Sequence, residues 1–182
     1  MEQETTGNIY IVLTQTGTIL SQILKKFTGA KYNHVSIATD KDLTNMYSFG
    51  RLHAYNPFIA GFVKESTESG TFKRFKKTEA MILTVKVSDE QYHKICNYIN
   101  SLYNHKKAFG YNYKGVFMAF FGKVYAARNR FYCSEFVKNA LIRARIVSAE
   151  DFPVITQPIF FSQLFDDVIY KGRLSTYTAI EH

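Results

Sequence analysis

Two side chains in this 182-residue sequence have the chemistry and the setting for covalent catalysis, Cys133 and His34. Cys133 opens a stretch in which Phe136, Val137, Ala140, Leu141 and Ala144 fall on one helical face, with Ser134 and Glu135 in the first turn. The start of a helix offers unpaired backbone N–H groups and the positive end of the dipole. Such a position favours a thiolate, and the same donors can receive a developing oxyanion. A nucleophilic thiol also needs an imidazole, which comes from elsewhere in the chain. His34 suits that part, being the polar first residue of the otherwise apolar run His34–Thr39. Taken singly, each has a plainer reading: a first-turn cysteine is more often structural, and a histidine opening a strand is more often a hydrogen-bonded surface group. Cys96 lies within the apolar stripe of another helix and reads as a small core residue. No disulfide between two such different contexts is expected in a chain without an export signal.

The elements that must position this pair follow from periodicity. Asn8–Gln15 is rich in β-branched and aromatic residues and lies between Gly7 and Gly17, which predicts a buried strand. Ile19, Leu20, Ile23, Leu24 and Phe27 have helical spacing and precede Gly29. The alternation in His34–Thr39, the polar turn at Asp40–Asp42 and the run Asn45–Phe49 predict a hairpin. Between Gly50 and Thr78 no clean period emerges, and a long excursion with short strands is expected. Glu79–Val87 predicts a strand. Ser88 with Gln91 then has the spacing of a capping box for a helix reaching about Tyr103. Residues 109–132 hold nine aromatic side chains, enough for a core or for the lining of an apolar substrate groove. A helix is expected over Cys133–Ile146, a further helix start at Thr156-Gln157-Pro158, and short strands at Val168–Tyr170 and Leu174–Thr178.

Composition narrows the function classes. The length fits one domain over residues 1–182, and 46% hydrophobic with 21% charged residues excludes a disordered chain. No apolar run approaches a membrane span, Val116–Phe121 being the longest obvious one, and the acidic, polar N-terminus is unlike a secretory signal. A cytoplasmic protein, at most peripheral at a membrane, is the expectation. The formal charge of +8 favours anionic partners, an anionic membrane surface among them. The basic residues fall in scattered pairs, Lys25-Lys26, Lys73-Arg74, Lys76-Lys77 and Lys106-Lys107, and no helix-turn-helix, zinc-finger or ribonucleoprotein signature is present. Nucleic acid is therefore not expected as a partner. The five histidines lack ligand-type spacing with cysteines or carboxylates, so neither a metal nor another cofactor is expected.

The segments Tyr32-Asn33-His34-Val35-Ser36-Ile37-Ala38 and Tyr132-Cys133-Ser134-Glu135-Phe136-Val137 resemble the histidine and cysteine motifs of the NlpC-type papain-like superfamily. Histidine precedes cysteine, the reverse of unpermuted papain-like enzymes. The chain thus resembles the circularly permuted branch that includes the YiiX-like bacterial proteins and is akin to lecithin retinol acyltransferase. The resemblance implies an α+β, permuted papain-like fold with an antiparallel sheet packed on helices. It implies a cysteine peptidase or amidase in which Cys133 is the nucleophile and His34 the base and acid. The family places a polar orienting residue on the strand after the histidine strand, where Ser48 is the best match and Tyr47 or a backbone carbonyl the alternatives. Peptide, amide and lipid-acyl substrates all remain open, as do a lipid acyltransferase or esterase and a non-catalytic binding module with a degenerate triad.

Overall fold

The computed structural model describes residues 7–16, 29 and 31–179. The helix expected over Ile19–Phe27 lies outside them. Strands β1 (Gly7–Gln15), β2 (His34–Ala38), β3 (Met46–His53) and β4 (Asn56–Glu65) are followed by the short helix α1 (Gly70–Arg74), strand β5 (Glu79–Val87) and the long helix α2 (Asp89–Asn104). Then come β6 (Gly110–Tyr111), α3 (Tyr113–Phe120), β7 (Arg130–Phe131), α4 (Cys133–Arg143), α5 (Phe161–Leu164) and β8 (Val168–Arg173). Six strands form one antiparallel sheet in the order β4-β3-β2-β1-β5-β8, and β6 and β7 form a separate parallel pair. The chain is therefore α+β. No helix among the described residues is long and apolar enough to cross a membrane.

β1 lies between β2 and β5 and is covered on both faces, which is why its sequence is nearly continuously apolar rather than alternating. Ile9, Ile11 and Leu13 face the larger core with α2 and α4, whereas Tyr10 and Val12 face a smaller one with Phe72 of α1 and Leu174. Phe136 of α4 is fully buried against the rings of Phe49, Phe62 and Tyr98, and so fixes α4 on the edge half of the sheet. Truncating such an aromatic side chain costs about 3–5 kcal/mol.

Several expectations need adjusting. The stretch after Gly50 holds one long hairpin, β3–β4, whose irregularity in sequence reflects a register shift between Arg51 and His53 and an exposed tip. Within the aromatic segment a helix forms, α3, started by the Asn112 side chain accepting the Gly115 N–H at 2.9 Å. α4 stops at Arg143, short of Ile146. Arg145 takes the left-handed conformation at φ 58°, while the N–H groups of Arg145 and Ile146 donate to Ile142 O and Leu141 O. That is a Schellman ending made without glycine, and so not signalled by composition. Residues 174–176 form a 3₁₀ turn rather than a strand. The Ser88–Gln91 capping box is present in both directions, at 3.3 and 3.0 Å.

Candidate active site

Cys133 is buried as the first residue of α4. Three contacts fix the chain there. The Tyr132 N–H donates to Glu135 Oε2 at 3.0 Å, the Ser134 hydroxyl donates to Thr156 O at 2.7 Å, and the buried Asn112 amide donates to Tyr125 O at 3.1 Å and reaches Glu135 at 3.5 Å. Asn112 thus ties the start of α3 to the start of α4. Burial raises the Glu135 pKa, and the Tyr132 N–H works against that shift. The N-cap of α4 is Tyr132, and the Glu135 side chain reaches back to its N–H as in a capping box.

His34 stands at the mouth of β2, and its Nε2 donates to Glu65 Oε1 at 2.9 Å. The carboxylate's other oxygen accepts from the Ser36 hydroxyl. Cys133 acts on the same imidazole from near by and favours its protonated form. The side chains of His34 and Glu65 are only 19% and 10% exposed. Burial alone would lower the His34 pKa. The negative charge of Glu65, the hydrogen bond to and charge of Cys133 and the hydrogen bond to Glu65 together outweigh it, and raise the value to about 10. Glu65 shifts the opposite way: burial pushes its pKa up, but His34, Ser36 and Ser48 hold it below the usual carboxylate range. Both directions describe one buried ion pair.

The expected orienting residue is corrected here. Glu65, and neither Ser48 nor Tyr47, meets the imidazole. Tyr47 stacks on Phe62 in the core. Ser48 is buried beside the carboxylate and helps hold its pKa down, without the alignment of a full hydrogen bond. The physical reason is the strand order. β3 lies between the strands carrying His34 and Glu65, so the carboxylate has to pass over it, and β3 presents only Ser48 and Gly50 on the way. A Cβ on Gly50 would lie 3.1 Å from Ser48 Oγ, 3.2 Å from Glu65 Oε1 and 3.3 Å from His34 Cε1. Glu65 is the only carboxylate between Asp42 and Glu68, a signal that the missing period of residues 50–78 concealed.

A cavity of about 310 Å³ opens onto the His34–Glu65 ion pair, and Cys133 is not among its lining residues. His34, Glu65 and Gly50 form its polar end, and Phe72, Tyr111 and Val116 belong to its largely apolar wall. The Tyr111 pKa is raised by burial first and then by the nearby Cys133, so its hydroxyl stays protonated and available as a donor. Cys96 has its thiol pKa pushed up by burial, with a partial opposing effect from Tyr92. Among the described residues no cluster of three or more His, Cys, Asp or Glu could hold a metal ion. Comparison with models of protein families, with curated proteins and with solved structures finds no match for this chain.

Proposed function

We propose that the protein is a thiol-dependent hydrolase of amides or esters, on a permuted papain-like arrangement in which Cys133 is the nucleophile, His34 the proton carrier and Glu65 the residue that orients the imidazole. The observation that carries this reading is the buried Glu65–His34 pair, joined at 2.9 Å, with the helix-start thiol of Cys133 near enough to the imidazole to favour its protonated form.

The chemistry runs in two halves. The Cys133 thiolate attacks the carbonyl carbon, and the electron pair of the carbonyl moves to oxygen, where the Cys133 backbone N–H is a donor. The tetrahedral species collapses to a thioester as the carbon–nitrogen or carbon–oxygen bond breaks, and His34 Nδ1–H gives its proton to the leaving amine or alkoxide. In the thioester the sulfur has no charge, so the Cys133 contribution that raised the His34 pKa is gone, the pKa falls, and the imidazole left neutral by the proton transfer is free to accept a proton from water. His34 then takes a proton from water, hydroxide adds to the thioester, and the acid and the thiolate are released with His34 protonated again. Glu65 holds Nε2–H throughout, fixing the ring. The apolar cavity wall favours a second reading within the same mechanism, in which the acyl group comes from a lipid ester.

The test uses a panel of peptidyl amides, muramyl-type peptides and phospholipids. Wild-type protein is expected to turn over one class and to accumulate an acyl adduct on Cys133, read by intact mass after acid quenching. If no member gives turnover or an adduct, and the native thiol resists iodoacetamide, the hydrolase reading yields to a non-catalytic binding module.

A further inference from the structure

The wall of the cavity continues outward into an exposed apolar rim. At the tip of the β3–β4 hairpin Tyr55 and Phe58 are 81% and 82% exposed, and along α3 and its end Phe117 and Phe121 are 61% and 65% exposed. These are not isolated side chains. The Tyr113 hydroxyl donates to Phe58 O at 2.7 Å, joining α3 to the hairpin, and the rings of Phe117 and Phe121 pack edge to face at 5.2 Å. Scattered surface aromatics need no explanation, but a joined set of them around a cavity mouth marks an interaction surface.

The charge around this rim says what it meets. Residues 46–64, 69–78 and 106–134, which hold the hairpin, α1 and α3, contain two, four and six Lys and Arg and not one Asp or Glu. Twelve of the 23 basic residues thus fall where none of the 15 acidic ones do. The carboxylates that border these segments are Glu65, paired with His34 inside the cavity, Glu68 before α1, Glu79 at the start of β5 and Glu135 in α4. One cation lies directly on the aromatic surface: the Arg74 guanidinium is 3.8 Å from the Tyr55 ring centre. Aromatic rings flanked by Lys and Arg suit the headgroup layer of an anionic bilayer, where rings enter the interface and cations meet phosphates. A second copy of the chain would set this cationic face against itself.

We propose that the hairpin tip and α3 form a docking face for an anionic membrane surface, with Phe58 and Phe117 entering the interface and the cavity of His34 opening toward the lipid. This rests on the rim and its charge, and its test does not need the hydrolase reading. Cys133→Ala protein, unable to consume lipid, is sedimented with sucrose-loaded vesicles of phosphatidylcholine with or without about 30% phosphatidylglycerol. Binding to the anionic vesicles is expected to exceed binding to the neutral ones by about 10-fold or more at ~0.1 M salt and to weaken at ~0.5 M. In the same background Phe58→Ser with Phe117→Ser, and separately Lys73→Glu with Arg74→Glu, should each weaken it by about 10-fold or more. Ile169→Ser, on β8 at the other end of the sheet, should not change it. Thermal melts establish that the variants are folded. Absence of binding to anionic vesicles overturns the proposal, and so does binding that the two serines leave unchanged. A wild-type dimer by light scattering that the serines dissociate also overturns it, assigning the face to a second copy.

Discussion

Helices α2 and α4 pack against each other over the larger core, and each carries one of the two cysteines. α2 begins with Ser88, whose hydroxyl takes the Gln91 N–H, and has Asp89 and Glu90 in its first turn, so its N-terminal donors and dipole are already answered. Its cysteine sits two turns in, where burial raises the thiol pKa and no imidazole is hydrogen-bonded to it. α4 begins with Tyr132, Cys133 and Ser134, and its first carboxylate, Glu135, is occupied by the N–H before the cysteine. The comparison teaches that amphipathic periodicity makes both helices, and that they differ in what stands at the first turn: a hydroxyl cap with two carboxylates on α2, a thiol on α4.

The largest expected effect separates the two thiols. Under native conditions at neutral pH, iodoacetamide should label Cys133 and spare Cys96, with Cys133→Ala abolishing rapid labelling and any turnover. His34→Ala should reduce turnover by a factor comparable to Cys133→Ser, about 10³-fold or more, because the two act as one unit and their losses do not add. Predominant labelling of Cys96 would reverse the assignment of the two helices.

Glu65→Gln probes the same contrast at the level of the ion pair and should cost less turnover than either partner, about 10- to 10²-fold. Ser48→Ala should cost less again, since Ser48 adjoins the carboxylate and not the imidazole. Stability against pH gives the sign independently of turnover. With the folded His34 pKa raised from 6.5 to about 10, its contribution is complete below pH 6.5 and is lost as pH rises toward 10. Glu65, with its pKa lowered from 4.5, contributes above that value and loses its contribution as pH falls below it. The pair should therefore stabilise most between about pH 4.5 and 6.5. In Glu65→Gln the decline in melting temperature between pH 6.5 and 10 should flatten. An unchanged slope would mean that Glu65 does not hold the proton on His34.

Gly50→Ala adds one methyl group where three polar groups converge. The neighbours would have to yield by a few tenths of an ångström, and the expected result is a drop in turnover of about 10-fold with a stability loss of only about 1 kcal/mol. A crystal structure in which the Glu65–His34 distance is unaltered would remove the basis for that expectation. The smallest effect is at the far end of α4. Arg145→Gly relieves a left-handed residue and should raise stability by about 0.5–1 kcal/mol, measured by urea denaturation, without touching the thiol.

The elements that carry their own period were legible in the sequence. β1, β2 and β5, the Ser88 start of α2 and the Cys133 start of α4 all follow from residues within a few positions of one another, because a strand's alternation, a capping box and an apolar stripe are local properties. Residue type and helix position made Cys133 and His34 suggestive, and the resemblance of their two short motifs made them the candidate pair. Glu65 was not legible in this way. It lies 31 positions from His34 and two strands away, and its role depends on the order β4-β3-β2 and on Ser48 and Gly50 being small enough to let a carboxylate cross. The scattered basic pairs changed meaning for the same reason. In the sequence they interrupt one another, but a hydrogen bond and a ring contact join the hairpin to α3 and to α1, three elements whose one carboxylate, Glu65, is paired with His34 inside the cavity. The sequence by itself determined the local elements and which of them carry a cysteine or a histidine at an end. Only the tertiary structure decided which charge faces which, because interactions between side chains depend on distance in space and strand pairing alone sets that distance.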